Sequence, residues 1–254
     1  MGVDQERIAG SVLRQRLGAG HEVIVAATPG WSTDQEYLFT QERVIPFHPD
    51  VVFWFITAVN DIVMNLHGQS NTGVVYKKPR FSFDSRGALT LVPIDPGAPA
   101  ASPGEVVEKN ASMLNIFYKH PDAEFLHALQ LTGAILEKGK EAWKVQGVRV
   151  YYILFKPNLI TEVSSSYQEF ARNFGYNPDD FSETKAMEHM EVVAREAGID
   201  LYYFDTQPHQ MFKTDGHLND AGHAALAGFM EQIMNGRATP LWRYDVTASH
   251  SGVR

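Results

Sequence analysis

Asp215 and His217 stand one residue apart within Thr214–Ala227, TDGHLNDAGHAALA, just ahead of an apolar-patterned stretch. Alternate residues of an extended segment share a face, so the two side chains can approach each other. A carboxylate that accepts a hydrogen bond from an imidazole fixes its tautomer and raises its basicity, which is what a general base needs. Taken alone, Asp-x-His is weak, because a polar loop that merely caps a helix yields the same pair. Behind it Asn219 reads as a helix N-cap. Leu218, Ala221, Ala225, Leu226, Phe229 and Ile233 follow at roughly helical spacing.

The elements upstream decide whether that pair has company. Arg7 to Leu17 carries Ile8, Val12, Leu13 and Leu17 as a helical stripe that ends at Gly18 and Gly20. Glu22 to Thr28 (EVIVAAT) reads as a buried strand broken by Pro29-Gly30-Trp31. Ser32 and Gln35 have the spacing of a capping box that opens a helix through Val44. Val51 to Thr57 (VVFWFIT) reads as a second buried strand running into Ala58-Val59-Asn60-Asp61. Phe125, Leu129, Thr132, Leu136 and Trp143 mark a long helix, Val148 to Phe155 a strand, Ser182 to Ala197 a helix closed by Gly198, and Leu201 to Thr206 the last strand. Unbroken apolar strands alternating with helices predict an α/β three-layer sandwich, flavodoxin-like in layout, with a parallel sheet. Polar residues gather just beyond strand ends, at Gly30-Trp31-Ser32, Asn60-Asp61 and Asp215/His217. Open α/β sheets place their ligand sites there.

Residues 62–123 interrupt this rhythm. Arg80 to Phe83 and Ala88 to Leu91 read as a small hairpin around Asp84-Ser85-Arg86-Gly87; Pro93 to Gly104 is a loop by composition, and Glu105 to Lys119 a helix. The apolar residues here are too few for a separate core, so residues 1–236 are read as one domain with an insertion at about 62–123. The tail 237–254 lacks periodicity and is expected to be loosely attached.

Composition narrows the function classes. The chain has 254 residues, 22 Lys and Arg against 30 Asp and Glu, and a net charge of −8. That argues against a nucleic-acid partner and against a polybasic membrane patch. Cysteine is absent, which excludes disulfides and thiolate metal sites. The longest apolar run, Val51 to Val59, is far shorter than the ~20 residues of a membrane span, and the N-terminus has no apolar signal core. No cofactor is expected. No Gly-rich phosphate loop follows any strand, which speaks against a nucleotide or flavin binder.

With these landmarks in place, the chain resembles the SGNH (GDSL-like) hydrolases, in the branch whose acid and base sit as Asp-x-His, as in the alginate acetyltransferase-type relatives. Ala27 to Gln35 (ATPGWSTDQ) resembles the family's second block, whose glycine donates a backbone N–H to an oxyanion; the resemblance gives that role to Gly30. Pro49-Asp50 through Thr57-Ala58-Val59-Asn60-Asp61 resembles the third block, normally Gly-x-Asn-Asp, with Ala58 in the glycine's place and Asn60 as the second donor. Asp215-Gly216-His217-Leu218-Asn219 with Gly222-His223 resembles the last block, which makes His217 the base and Asp215 its orienter. The resemblance implies an esterase or O-acyltransferase lineage acting on a small-molecule or acylated carbohydrate ester.

The family's first block, Gly-Asp-Ser on the loop after the first strand, has no counterpart: the chain opens Met1-Gly2-Val3 and enters a helix. The expectation is therefore an SGNH fold without its first strand and nucleophile, weakly active or inactive, as in a fragment. The alternatives are a non-catalytic carbohydrate- or partner-binding module on the same fold, or recruitment of another serine. Ser32 reads better as an N-cap, Ser11 lies in a helix, Ser85 in a hairpin turn, and Ser164-Ser165-Ser166 in an irregular segment.

The remaining candidates have plainer readings. A zinc site from His209, Asp215 and His217 matches no trusted ligand spacing. His223 reads as a packing residue and Asp61 as support for the Asn60 turn. Lys156 reads as a snorkelling strand-end lysine and Trp31 as core. Asn110-Ala111-Ser112 is a glycosylation sequon with no secretory signal to give it weight.

Overall fold

The structure is a computed structural model and describes residues 2–28, 30–71, 75–97, 113–156, 166–213 and 216–243. Three parallel strands form its centre in the order β1 (Val51–Ile56), β6 (Arg149–Phe155), β7 (Leu201–Phe204). Val51 pairs with Arg149 and Ile56 with Leu154, while Tyr152 pairs with Leu201 and Phe155 with Phe204. The strands alternate side chains between two faces, and both faces are covered. Trp54, Ile56, Tyr152, Leu154 and Leu201 enter the larger core with helices α2 (Thr33–Phe39), α3 (Ala58–Met64), α4 (Ala123–Val145) and α6 (Glu183–Ala197). Ile153 and Phe204, flanked by Phe53, Phe55, Tyr151 and Tyr202, enter the smaller core under α1 (Ala9–Leu17) and α7 (Asp220–Met234). The fold is a three-layer α/β/α sandwich.

Helix boundaries follow local chemistry. Ser32 and Gln35 form the reciprocal capping box that opens α2. Asp122 accepts from the Phe125 N–H at the start of α4, Ser182 from Thr184 at α6, and Asn219 from Gly222 at α7. After α6 the chain turns through Gly198 at φ +62°, a left-handed conformation that glycine adopts without a Cβ penalty. The helix expected through Val44 is α-helical only to Phe39; Thr40–Val44 continues as a π segment and Ile45–Phe47 as a 3-10 turn.

The interrupting segment supplies two antiparallel pairs, β2 (Gln69–Asn71) with β3 (Val75–Lys77) and β4 (Arg80–Phe83) with β5 (Leu89–Val92), the second being the expected hairpin. Its Phe81, Leu114, Ile116 and Phe117 are buried in the larger core. Of the helix expected over 105–119, residues 105–112 lie outside the described residues and Met113–Phe117 is a 3-10 turn. The sequon at 110–112 also lies outside them. Between β6 and β7, α5 (Tyr167–Asn173) precedes α6.

Residues 22–28 form no strand, and Ile24 and Val25 are each 53% exposed. A strand needs a neighbour to satisfy its backbone groups, and among the described residues no strand pairs with this segment. Among the described residues the sheet therefore has three strands where four were read. Val25 instead rests on α1, where a Cβ on Gly10 would come within 2.3 Å of its Cγ2. The first residues after α7 are also held: Trp242 and Leu201 exchange backbone hydrogen bonds of 2.9 and 3.2 Å, and Arg195 lies 5.9 Å from the Trp242 ring. An aromatic anchor holds the chain at Trp242; residues 244–254 of the expected tail lie outside the described residues.

Candidate functional site

Asn60 and His217 both follow C-terminal ends of sheet strands. Asn60 lies in the first turn of α3, four residues past β1. Its carboxamide oxygen is buried and has no hydrogen-bond partner. The turn is closed tightly. Thr57 O accepts from the N–H groups of Asn60 (3.1 Å) and Asp61 (3.0 Å), and the Thr57 N–H donates to Asp61 Oδ2 at 2.7 Å. Gly30 sits at φ +71° ahead of α2, and Trp31 packs edge-on against Phe39 at 5.0 Å.

His217 is exposed and is held through its backbone, with its carbonyl accepting from the Phe212 N–H at 2.8 Å. Asn219 completes this clasp. Its N–H donates to Gln210 O at 3.0 Å, and its Nδ2 donates to His209 O at 2.9 Å and Met211 O at 3.0 Å. Asp215 lies outside the described residues. Between Asn60 and His217 in strand order come Lys156, just past β6, and Asp205, just past β7, paired at 3.1 Å. Neighbouring strands lie roughly 4.8 Å apart, so the ends of β1 and β7 are separated by two such steps, about 10 Å.

The secondary candidates have structural partners. His223 Nδ1 accepts from the Ala9 N–H at 3.3 Å, and burial lowers its pKa below the ordinary value. Ser32 is buried and donates to Asp34 Oδ1 at 2.7 Å; Ser166 caps α5; Ser11 lies within α1; Ser85 lies in the hairpin turn. Ser164 and Ser165 are outside the described residues. No group of three or more His, Asp or Glu side chains among the described residues could hold a metal ion. A cavity of about 310 Å³ lined by His48, Asp50, Gln146 and Arg149 opens beside the first residues of β1 and β6, at the other end of the sheet from Asn60 and His217.

Sequence reading missed what lies beside the Asn60 turn. Asp34 and Lys78 form an ion pair with side chains 0% and 1% exposed. Asp34 also accepts from the Gln35 N–H at 2.7 Å, and its own N–H donates to Asn65 Oδ1 at 3.1 Å. Asn65 donates to Thr132 Oγ1 at 2.9 Å, and Thr132 to Ala128 O at 2.8 Å. Glu36 accepts from Trp54 Nε1 at 2.7 Å. Lys78 thus pairs with Asp34 and acts on Asp61, while Glu36 has the Trp54 bond and no cation among the groups that act on it. Burial raises the Glu36 carboxyl to about 7, with the Asp34 charge adding to the shift and the Trp54 bond opposing it. Asp61 is held well above the usual carboxylate range, first by burial and then by Glu36, against the pull of the Thr57 N–H and Lys78. Lys78 stands 44 residues from Asp34 in the segment that breaks the helix–strand rhythm, so no spacing signalled the pair.

This cluster sets a pH dependence of stability. Folded Glu36 keeps a proton that the unfolded chain, at its ordinary 4.5, releases. Its contribution is complete below about 4.5 and is lost as pH rises through about 7. Glu36→Gln keeps an acceptor for Trp54 and removes the titration. The variant is expected to gain on the unaltered chain between pH 5 and 8, by on the order of 2–3 kcal/mol. Urea denaturation of both proteins at the two pH values measures this, and a difference that does not change with pH contradicts it.

Compared with known proteins, the chain matches no family model, no curated protein and no solved structure.

Proposed function

We propose that this chain carries the base and oxyanion-binding groups of an SGNH-type ester hydrolase or O-acyltransferase, acting on a small-molecule ester or an acylated carbohydrate. The observation that carries the reading is the Asn60 carboxamide: partly buried, fixed in a closed turn just past β1, its oxygen unpartnered and its NH₂, the group that would donate to an oxyanion, bonded to no described residue. A buried polar atom without a partner calls for an explanation, and a ligand that completes its bonding is one.

In this mechanism a hydroxyl attacks the ester carbonyl as His217 takes its proton. The carbonyl oxygen becomes an oxyanion that accepts from the Gly30 N–H and the Asn60 amide. The tetrahedral adduct then collapses, the ester C–O bond breaks, and His217 returns the proton to the departing alcohol. Asp215 would orient the imidazole. Each donor aimed at the oxyanion is worth about 3–4 kcal/mol of barrier in a dry site. Among the described residues the serines lie in caps, turns, helices or strands, and none of them stands as the attacking hydroxyl. That same observation favours the second reading, a carbohydrate- or partner-binding module without chemistry.

Release of p-nitrophenol from p-nitrophenyl acetate separates the two, with 1,2-ethanediol supplying the attacking hydroxyl. Without the diol, turnover is expected to be weak. With it, the rate should exceed that of buffer plus diol, return to that level in His217→Ala, and fall at least tenfold in Asn60→Ala. Equal rates in all three proteins and in buffer favour the binding module.

A further inference from the structure

We propose that Asp61 is the positioning residue for Asn60, closing the turn that presents its amide. The inference rests on the oxyanion role proposed above for its purpose, but not for its geometry. Asp61 is 2% exposed, and its Oδ2 receives the Thr57 N–H at 2.7 Å. Thr57 O in turn receives the N–H groups of Asn60 and Asp61. The bonds make a ring from Thr57 to Asp61 with Asn60 inside it, leaving little room for the Asn60 backbone to rotate.

An ionised carboxylate holds an N–H roughly twice as strongly as a neutral acceptor does. The grip on the turn therefore depends on whether Asp61 carries a proton. The charged groups that act on it are Glu36 and Asp34 from α2 and Lys78 from the connection before β4. From β1 comes Trp54, which binds Glu36, and from α4 comes Thr132, which binds Asn65; neither of these titrates. Negative charge on Glu36 favours the protonated, weaker form of Asp61, and Lys78 favours the ionised, stronger form.

The test uses the full chain without ester and reads two NMR observables at about pH 8: amide hydrogen exchange at Thr57 and the side-chain NH₂ resonances of Asn60. Asp61→Ala is expected to speed Thr57 exchange roughly tenfold or more, the loss of one charge-assisted bond, and to shift the Asn60 resonances. Asp61→Asn, which keeps an oxygen acceptor, should restore most of the protection. Glu36→Gln should slow Thr57 exchange below that of the unaltered chain. Amides of β6 such as Ile153 should hold steady, which a general loosening would not allow. If Asp61→Ala does not fold, the asparagine and glutamine variants still decide. Unchanged Thr57 exchange and unmoved Asn60 resonances in both overturn the proposal, as does an equal change at Ile153. Neither readout involves an ester, so failure of the esterase reading leaves these results standing and failure of the clamp leaves the turnover assay standing.

Discussion

Lys78→Met is expected to cost the fold about 3–5 kcal/mol, because it leaves an interior carboxylate without its cation. Asp34 and Lys78 are both buried, and Asp34 already holds Ser32 Oγ and the Gln35 N–H. With the ammonium removed, Asp34, Glu36 and Asp61 would face one another with no positive charge among the groups that act on them. Asp34→Asn combined with Lys78→Met removes both charges and should cost less than the sum of the two single changes, as contacting groups do. Urea denaturation of the three variants measures the coupling. Additive losses would mean that the pair does not hold the interior together.

Gly222→Ala carries the next largest effect, and two terms compete in it. Alanine within a helix ordinarily gains about 1 kcal/mol over glycine. Here the added Cβ would sit 2.1 Å from Gln210 O and 2.9 Å from a Leu218 methyl group. Gln210 O is backbone, and it already accepts the Asn219 N–H, so it cannot move aside without opening the clasp around His217. Overpacking of this kind costs about 1–3 kcal/mol or more. The steric term should win, leaving a net loss of about 2 kcal/mol in thermal or urea unfolding, with exchange at the Phe212 amide speeding up alongside it. A neutral or stabilising outcome would show that the clasp yields freely.

The helices and the three sheet strands were legible because their signals are local. Phe125 to Trp143 repeats at helical spacing, Val51 to Ile56 is uniformly apolar, and Asn219, Ser182 and the Ser32–Gln35 box occupy the caps that their side chains suit. Residues 22–28 have the same apolar character as β1, yet no strand forms there. Composition reports burial preference, whereas a strand requires a partner, and the partner is a property of the whole sheet. The Thr57–Asp61 turn was half legible: its closing role follows from Asp61 beside Asn60, but the company of Glu36 and Lys78 depends on α2 and the β3–β4 connection meeting in space. Trp242 was missed for a related reason, since a single aromatic anchor has no period to detect.

The central claim is that the Asn60 amide and the His217 imidazole serve one site. The most direct measurement labels asparagine with ¹⁵N and follows the Asn60 Nδ2 resonance from about pH 5 to 8, in the unaltered chain and in His217→Gln. A shared site predicts a pH-dependent movement at Asn60 that disappears in the variant. An Asn60 resonance that follows the same course in both proteins would place the imidazole out of reach and contradict the claim.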